Sequence, residues 1–408
     1  MAGRSFLFLQ GVCSPFFARL ADRLRGDGHR IFKVNFNCGD LAYWGRRPSV
    51  SFKNGLDQLP GFLEDTFRAS GTTDIVLFGD RRPVHLAAVE LATRHGIRIH
   101  VFEEGYFRPH WVTLERNGVN NHSLLPKDPD WYRSVGGRLP DYGDGEPFAS
   151  PFRLRAGHDI LYHLAGALNP LLFPHYRTHA PVPAPVEYAG YGRRFALMPM
   201  YRRRDAATID FLLAGTTPFY LLPLQLNSDA QIRDHSPFPD MPGVIEFVMA
   251  SFAVHAPDGA RLVIKNHPLD MGLVDYPAVI RALATRFGLT GRIDYLESGD
   301  LEALLRRARG VVTVNSTVGG LALGLACPTI ALSDPIYNMA GLTCTGSLDD
   351  FWSGPIPPDA ELYRCFRNTV IHTTQINGGF YSRPGTELAV HNAIPSLTAE
   401  RSRLEELL

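Results

Sequence analysis

Short apolar runs alternate along this chain with longer stretches whose apolar residues recur at helical spacing. Residues 5–9 read as a buried strand, and 15–25 place Phe16, Leu20 and Leu24 on one helix face. Gly26-Asp27-Gly28 closes that helix, and 31–36 is the next strand. The pattern then predicts a helix over 57–69, a strand over 74–78, a helix over 83–95 closed by Gly96, and a strand over 98–102. Such alternation implies a parallel sheet covered by helices. The rhythm breaks over 126–195. There 142–147 is turn-rich, 159–172 is amphipathic but interrupted by Pro170, and the proline-rich 181–186 reads as an extended linker. It restarts with a strand at 219–224, a helix at 243–255, a strand at 261–265 and a helix at 301–307. From Val311 to Leu332 the chain reads as strand, polar turn, glycine-softened helix and second strand. The β-branched residues 311–314 suit a parallel strand covered on both faces.

A chain of 408 residues exceeds the size at which one core stops growing, so two domains are expected. The expected fold is α/β: two Rossmann-like domains, GT-B-like, over 1–190 and 191–408, with the active cleft between them. No repeat at a solenoid period is visible.

Composition narrows the function classes. Apolar content of 45% and charged content of 20% fit a globular protein. Lys plus Arg and Asp plus Glu are both 41, which leaves no basic excess for nucleic acid. The densest cation cluster, Arg202-Arg203-Arg204, reads as a solvated loop or as a face toward an anionic substrate or lipid. Five scattered cysteines, none in CxxC, argue against a disulfide framework or zinc site and for a reducing compartment. No secretory pattern opens the chain. The 311–332 stretch is long enough for a membrane span, but its Asn-Ser-Thr centre, paired glycines and Pro328 favour strand–helix–strand. The expected location is therefore cytoplasmic, with membrane contact at most peripheral. The amphipathic 159–172, with Phe173, His175, Tyr176 and Arg177 beside it, either packs on its own domain or lies on a membrane surface.

Ligands of open α/β sheets sit beyond the carboxyl ends of strands, so the residues after each strand are the candidates. Gln10 and Gly11 follow the first strand, and Asn37 and Asp40 the second. Asp80 follows the third and either caps the helix beginning at Pro83 or orients a substrate hydroxyl. The fourth ends in Val101-Phe-Glu-Glu-Gly-Tyr-Phe-Arg-Pro-His-Trp111. Carboxylates act as base, acid or nucleophile, and aromatic rings pack on sugar faces. Adjacent carboxylates on extended backbone point opposite ways, so Glu104, beside Gly105, is favoured for the chemistry and Glu103 for support. Arg108 meets substrate or pairs within a solvated loop.

In the second half, Lys265-Asn266-His267-Pro268 ends a strand abruptly, and Pro268 holds His267 extended. Asn315, Ser316 and Thr317 fall where the chain turns into a helix. A hydroxyl there caps the helix, and its free N–H groups with the helix dipole make an anion site. Gln225, Asp229, Gln231, His235 and Ser236 follow another strand and suit a nucleotide, a polyhydroxylated substrate or the loop's own backbone. Asp128-Pro-Asp130 has a D-x-D spacing without the strand context, and reads as coincidence. No P-loop, dinucleotide, zincin or nucleophile-elbow motif is present.

Phe8-Leu-Gln-Gly11, Ser14-Pro-Phe-Phe17, Phe102-Glu-Glu-Gly-Tyr-Phe-Arg-Pro109, Leu114-Glu-Arg-Asn-Gly-Val-Asn120 and Phe173-Pro-His-Tyr-Arg177 resemble the KpsS group of capsule polysaccharide biosynthesis proteins. So do Lys265-Asn-His-Pro268, Asn315-Ser-Thr317 and Thr374-Gln-Ile-Asn-Gly378. The resemblance runs over residues 5–385. It implies a retaining β-Kdo glycosyltransferase that takes Kdo from CMP-Kdo to a phosphatidylglycerol-type lipid and starts the poly-Kdo linker of a capsule polysaccharide. It also implies no cofactor or metal, a peripheral position at the inner face of the cytoplasmic membrane, and other capsule enzymes as partners. Acceptor and catalytic groups would lie in the N-terminal half and the CMP-sugar in the C-terminal half, held by His267, Ser316 and Thr317. Glu104-Gly105-Tyr106 matches the family's acidic-Gly-aromatic motif, with Glu where relatives often carry Asp. Retention implies double displacement through a carboxylate, Glu104 or Asp80. Two other readings stay open: a transferase using another nucleotide sugar, and a non-catalytic capsule assembly or export component.

Overall fold

The apolar runs become strands in the computed structural model, which describes residues 3–178, 182–227, 232 and 236–408. In chain order they are β1 (Ser5–Phe8), β2 (Arg30–Asn35), β3 (Val50–Ser51), β4 (Asp74–Phe78), β5 (Arg98–Glu104) and β6 (Trp111–Arg116). There follow β7 (Phe219–Pro223), β8 (Arg261–Lys265), β9 (Ile293–Leu296), β10 (Gly310–Thr313), β11 (Thr329–Ala331) and β12 (Gln375–Asn377). They build a 7-stranded sheet, ordered β12-β6-β5-β4-β1-β2-β3, and a 5-stranded sheet, ordered β11-β10-β7-β8-β9. The smaller sheet is parallel throughout, and its central strand β7 is buried along its whole length, as helices on both faces require.

Each sheet lies in its own unit. The first comprises Met1–Leu125, Leu139–His179 and Asn368–Leu408, the second Pro126–Arg138 and Ala180–Arg367. The division differs from the expected 190/191 boundary. The last segment returns to the first unit because β12 extends its sheet, pairing antiparallel with β6 at Ile376 and Val112. Phe380, Ala389, Ala393 and Leu397 then join a core with Phe6, Phe8, Phe16 and Phe102.

Two features escaped the alternation rule. The β6 strand runs antiparallel to β5, because the short Gly105–His110 link cannot hold the crossover of about a dozen residues that a parallel return needs. The expected linker at 181–186 instead leads straight into a 31-residue helix, Ala184–Ala214. Proline in a first turn is tolerated because those N–H groups have no helical partner anyway. Arg202, Arg203 and Arg204 are therefore on a helix, not a loop, and Arg204 pairs with Asp205. Among the described residues, no helix is long and apolar enough to cross a membrane. All five cysteines are free thiols.

Strand order reverses once in each sheet: between β1 and β4 in the larger, and between β7 and β10 in the smaller. At such a point the two crossovers leave toward opposite faces and open a crevice at the strand ends.

Candidate active site

In the second unit that crevice is bridged by Gln225, after β7, and Asn315, after β10. The Gln225 amide nitrogen donates to Asn315 Oδ1 (2.9 Å), and the Asn315 N–H donates back to Gln225 Oε1 (3.3 Å). Ser316 caps the helix Thr317–Gly324, its hydroxyl accepting the Val318 N–H. That helix comes close to Tyr337, whose hydroxyl donates to the Ser316 carbonyl (2.6 Å). Gly319 permits the approach: a Cβ there would lie 2.1 Å from the Tyr337 oxygen. Thr317 opens the helix and is exposed.

The neighbouring strand β8 ends at Lys265 and is followed by Asn266, both buried. The Lys265 ammonium makes no hydrogen bond or ion pair to a described residue, and burial, then Arg194, push its pKa down. Asn266 fastens the turn: its amide donates to Glu297 (2.9 Å) and its Oδ1 accepts the His267 N–H (2.8 Å). His267 Nδ1 accepts the Leu269 N–H (3.1 Å), so the neutral ring carries its hydrogen on Nε2. Pro268 offers its carbonyl to Arg194 (2.8 Å). Of the string after β7, Ser236 bonds inside its own turn, to the Ile232 carbonyl (2.6 Å) and the Phe238 N–H (3.2 Å). Asp229, Gln231 and His235 lie outside the described residues.

Two residues that no motif flagged hold this site in shape. Arg194 is buried and grips Glu297 Oε2 (3.0 Å) together with the carbonyls of Pro268 and Asp270. Asp205, also buried, accepts the N–H groups of Glu297 and Ser298 (2.9 Å each). Both come from the Ala184–Ala214 helix.

In the first unit the candidates gather in three groups. Gln10, Asn37 and Asp40 meet at one hydroxyl, that of Tyr162, at 3.1, 2.8 and 3.4 Å. Gly39 makes room, since a Cβ would fall 2.5 Å from the Tyr162 ring. Burial pushes the Asp40 carboxyl up, and Lys33, 3.9 Å away, pulls it back. Gly11 receives Arg82 on its carbonyl (2.9 Å). Glu104 Oε1 accepts the Tyr381 hydroxyl (3.0 Å) and faces Arg155 (3.3 Å), while Glu103 turns back to the Glu104 N–H (2.9 Å). Asp80 does not cap the helix Pro83–Arg94. Arg82 stands at that cap without capping the helix through its side chain, and Asp80 instead meets His122 Nδ1 (2.9 Å). Arg108 donates only to the Gly105 carbonyl (3.4 Å) among the bonds assigned to its side chain, closing a local turn. Asp128 caps the helix Pro129–Gly136, so the D-x-D spacing is a helix start.

Glu115 on β6 was legible only as part of a motif. It is buried, accepts the hydroxyls of Tyr106 (2.7 Å) and Ser123, and is pushed up to about 7 by burial. Tyr106 in turn accepts the Asn120 N–H (2.8 Å), which ties the β5–β6 turn to the following loop. Among the described residues, no group of three or more His, Cys, Asp or Glu is placed to hold a metal ion.

The chain is similar to known proteins over most of its length. The chain is 36% identical over 384 residues to the "Capsule polysaccharide export protein KpsS" of Escherichia coli, covering 93% of this chain and 98% of that protein. It is 34% identical over 393 residues to the "Capsule polysaccharide modification protein LipB" of Neisseria meningitidis serogroup B, covering 94% and 93%. Among solved structures, that of "Thermosulfurimonas dismutans KpsC, beta Kdo 2,7 transferase" aligns with a TM-score of 0.46 at 15% identity, over 96% of this chain and 99% of that one. The family model described as "Capsule polysaccharide biosynthesis protein" matches residues 73–381, and the chain belongs to that family.

Proposed function

We propose that the protein is a retaining β-Kdo glycosyltransferase that moves Kdo from CMP-Kdo to a phosphatidylglycerol-type lipid. It acts as a peripheral protein at the inner face of the cytoplasmic membrane, beside other enzymes of capsule synthesis. One observation carries the reading: along the carboxyl edge of the smaller sheet, a capped helix N-terminus follows β10 at the switch point, and on the far side of β7 the end of β8 carries a buried ammonium and an ordered histidine. That set suits a single phosphate. Helix N–H donors and Lys265 would take up charge as CMP leaves, and a monophosphate needs no metal to screen it. Gln225 and Asn315 would shape the nucleotide side of the crevice, with Asn266 and Pro268 fixing the turn.

The first unit supplies the carboxylates. A Glu104 oxygen attacks the anomeric carbon, whose bond to the phosphate oxygen breaks, and that electron pair leaves with CMP. The acceptor hydroxyl then displaces Glu104, giving retention over two inversions. Asp80 is engaged with an imidazole, which suits proton transfer better than attack; with Nδ1–H donated to Asp80, His122 Nε2 takes the hydroxyl proton. Glu103 supports the Glu104 backbone. Gln10, Gly11, Asn37, Asp40 and Arg108 would form the acceptor side.

Thermal unfolding with CMP and with UDP tests the donor. CMP should raise the melting temperature and UDP should not, because only a ligand of the native state stabilises by mass action. The reverse result would assign another nucleotide sugar. Glu104→Gln should lower transfer on the order of a thousandfold with CMP affinity retained. Full activity in that variant removes Glu104 from the chemistry. The word "export" in the name of one relative favours the assembly reading, in which incubation with CMP-Kdo and lipid releases no CMP.

A further inference from the structure

The helix Phe152–Gly166 and its continuation Asn169–Leu172 have their polarity reversed. The polar side chains of Arg155, His158 and Tyr162 face the protein. Arg155 reaches Glu104 (3.3 Å), His158 Nδ1 meets the Tyr43 hydroxyl (2.8 Å), and Tyr162 meets Asn37 (2.8 Å). The apolar ones face outward: Leu161, Leu164, Leu168 and Leu171 are 53%, 66%, 52% and 80% exposed. Spacings of three and four put 161, 164 and 168 on one stripe, which 171 prolongs. A solvated helix face is ordinarily the polar one. Holding leucine in water forgoes the gain of burying it. A contiguous apolar face of this kind marks a contact surface.

The charges nearby say with what. Arg153, in the first turn of the helix, and Arg177, beyond its continuation, are exposed, and His175, bonded to the Lys53 carbonyl (2.9 Å), brings exposed Lys53 close to Arg177. The only carboxylate from 151 to 178 is Asp159, which pairs with His163 (3.5 Å). The stripe itself carries no hydrogen-bonding side chain. Protein interfaces have a polar rim and aromatic or methionine anchors, whereas leucines flanked by cations suit the acyl–headgroup boundary of an anionic bilayer.

We propose that 152–172 is a membrane-docking element, lying in the plane of an anionic bilayer with its leucines among the acyl chains and Arg153, Arg177 and Lys53 among the lipid phosphates. This deepens the functional reading, since it presents the unit that carries Glu104 to a lipid acceptor. The docking itself rests on the exposed face and not on the identity of the donor.

Co-sedimentation with phosphatidylcholine vesicles, with and without phosphatidylglycerol, tests it. The wild type should bind the anionic vesicles and release with salt. A Leu164→Ser/Leu168→Ser/Leu171→Ser variant should bind at least about tenfold less with an unchanged melting temperature, because these side chains already stand in water. Arg153→Glu/Arg177→Glu should weaken binding to anionic vesicles alone. Equal sedimentation of wild type and leucine variant overturns the proposal, as does a wild type that ignores anionic vesicles. So does a concentration-dependent dimer, seen without lipid, that the leucine variant abolishes: the face would then belong to a second copy. A protein that docks but never releases CMP from CMP-Kdo overturns the functional reading and leaves the docking standing.

Discussion

Glu115 is buried between Tyr106 and Ser123, and its carboxyl is pushed from 4.5 to about 7 mainly by burial. In the unfolded chain the group ionises near its ordinary value. Below that pH both states are protonated and stability is undiminished; as pH rises toward 7 only the unfolded state gains by ionising. The wild type should therefore lose about 3 kcal/mol of stability between about pH 4.5 and 7 from this group. Glu115→Gln keeps the shape without the titration, so its stability measured by denaturant across that window should be flatter. An equally steep loss in the variant would exclude Glu115 as the source. Lys265 poses the opposite case, a buried ammonium without a hydrogen bond to a described residue. Lys265→Met removes a desolvated charge, so the fold should be no less stable. CMP affinity should nevertheless fall about 10- to 100-fold, the worth of a charged hydrogen bond to phosphate. Calorimetric titration that finds unchanged affinity would falsify its donor-site role.

At the level of elements, the helix Thr317–Gly324 is built to come close to its neighbours. Its two adjacent glycines are not equivalent. Alanine at 319 would put a methyl 2.1 Å from the Tyr337 oxygen, while at 320 it would meet nothing within 4 Å. Alanine gains about 1 kcal/mol over glycine in a helix, but the clash at 319 costs about 1–3 kcal/mol and wins. Gly319→Ala should lower stability and disturb the Ser316 cap, and Gly320→Ala should raise stability by about 0.5–1 kcal/mol. Urea unfolding of both variants checks the signs, and two shifts in the same direction would show that Tyr337 yields. The Ala184–Ala214 helix shows a different economy. Its buried residues include Gly190, Arg194, Asp205 and Leu212, so its inner stripe is partly ionic. The face that an apolar-periodicity reading looks for is therefore missing, so the spacing predicts no helix here and its first residues read as part of the 181–186 linker.

Over the whole molecule, each sheet places its candidate residues at the carboxyl ends of its strands, some at the point where strand order reverses and others one or two strands away. The larger sheet is completed from far along the chain. The β12 strand covers the β6 edge, and Phe380 and Ala389 pack with Phe16 and Phe102. A chain ending at Arg367 should thus lose the fold of the first unit while residues 180–367 retain theirs. Limited proteolysis would show rapid cleavage before residue 125 and a surviving fragment from the second unit. A fully protected N-terminal segment would mean that the sheet stands without β12.

What the amino-acid order alone determined was the part set by short-range physics. Periodicity placed β1, β4, β5, β7, β8 and β10 and their covering helices, and the residues after those strands had to fall at the carboxyl edge of a parallel sheet. Ser316 as a cap and the Lys265–Pro268 turn follow from local backbone chemistry in the same way. Tertiary structure alone decided which polar groups meet. Nothing near Asp80 in sequence says that its partner is His122 rather than the helix beside it. Nothing near Gln10, Asn37 or Asp40 points to Tyr162, more than a hundred residues on. The antiparallel β6 and β12, and the reversed face of 152–172, were likewise settled by long-range packing. Local spacing states that a helix has two faces; only the surrounding charges and cavities decide which one turns inward.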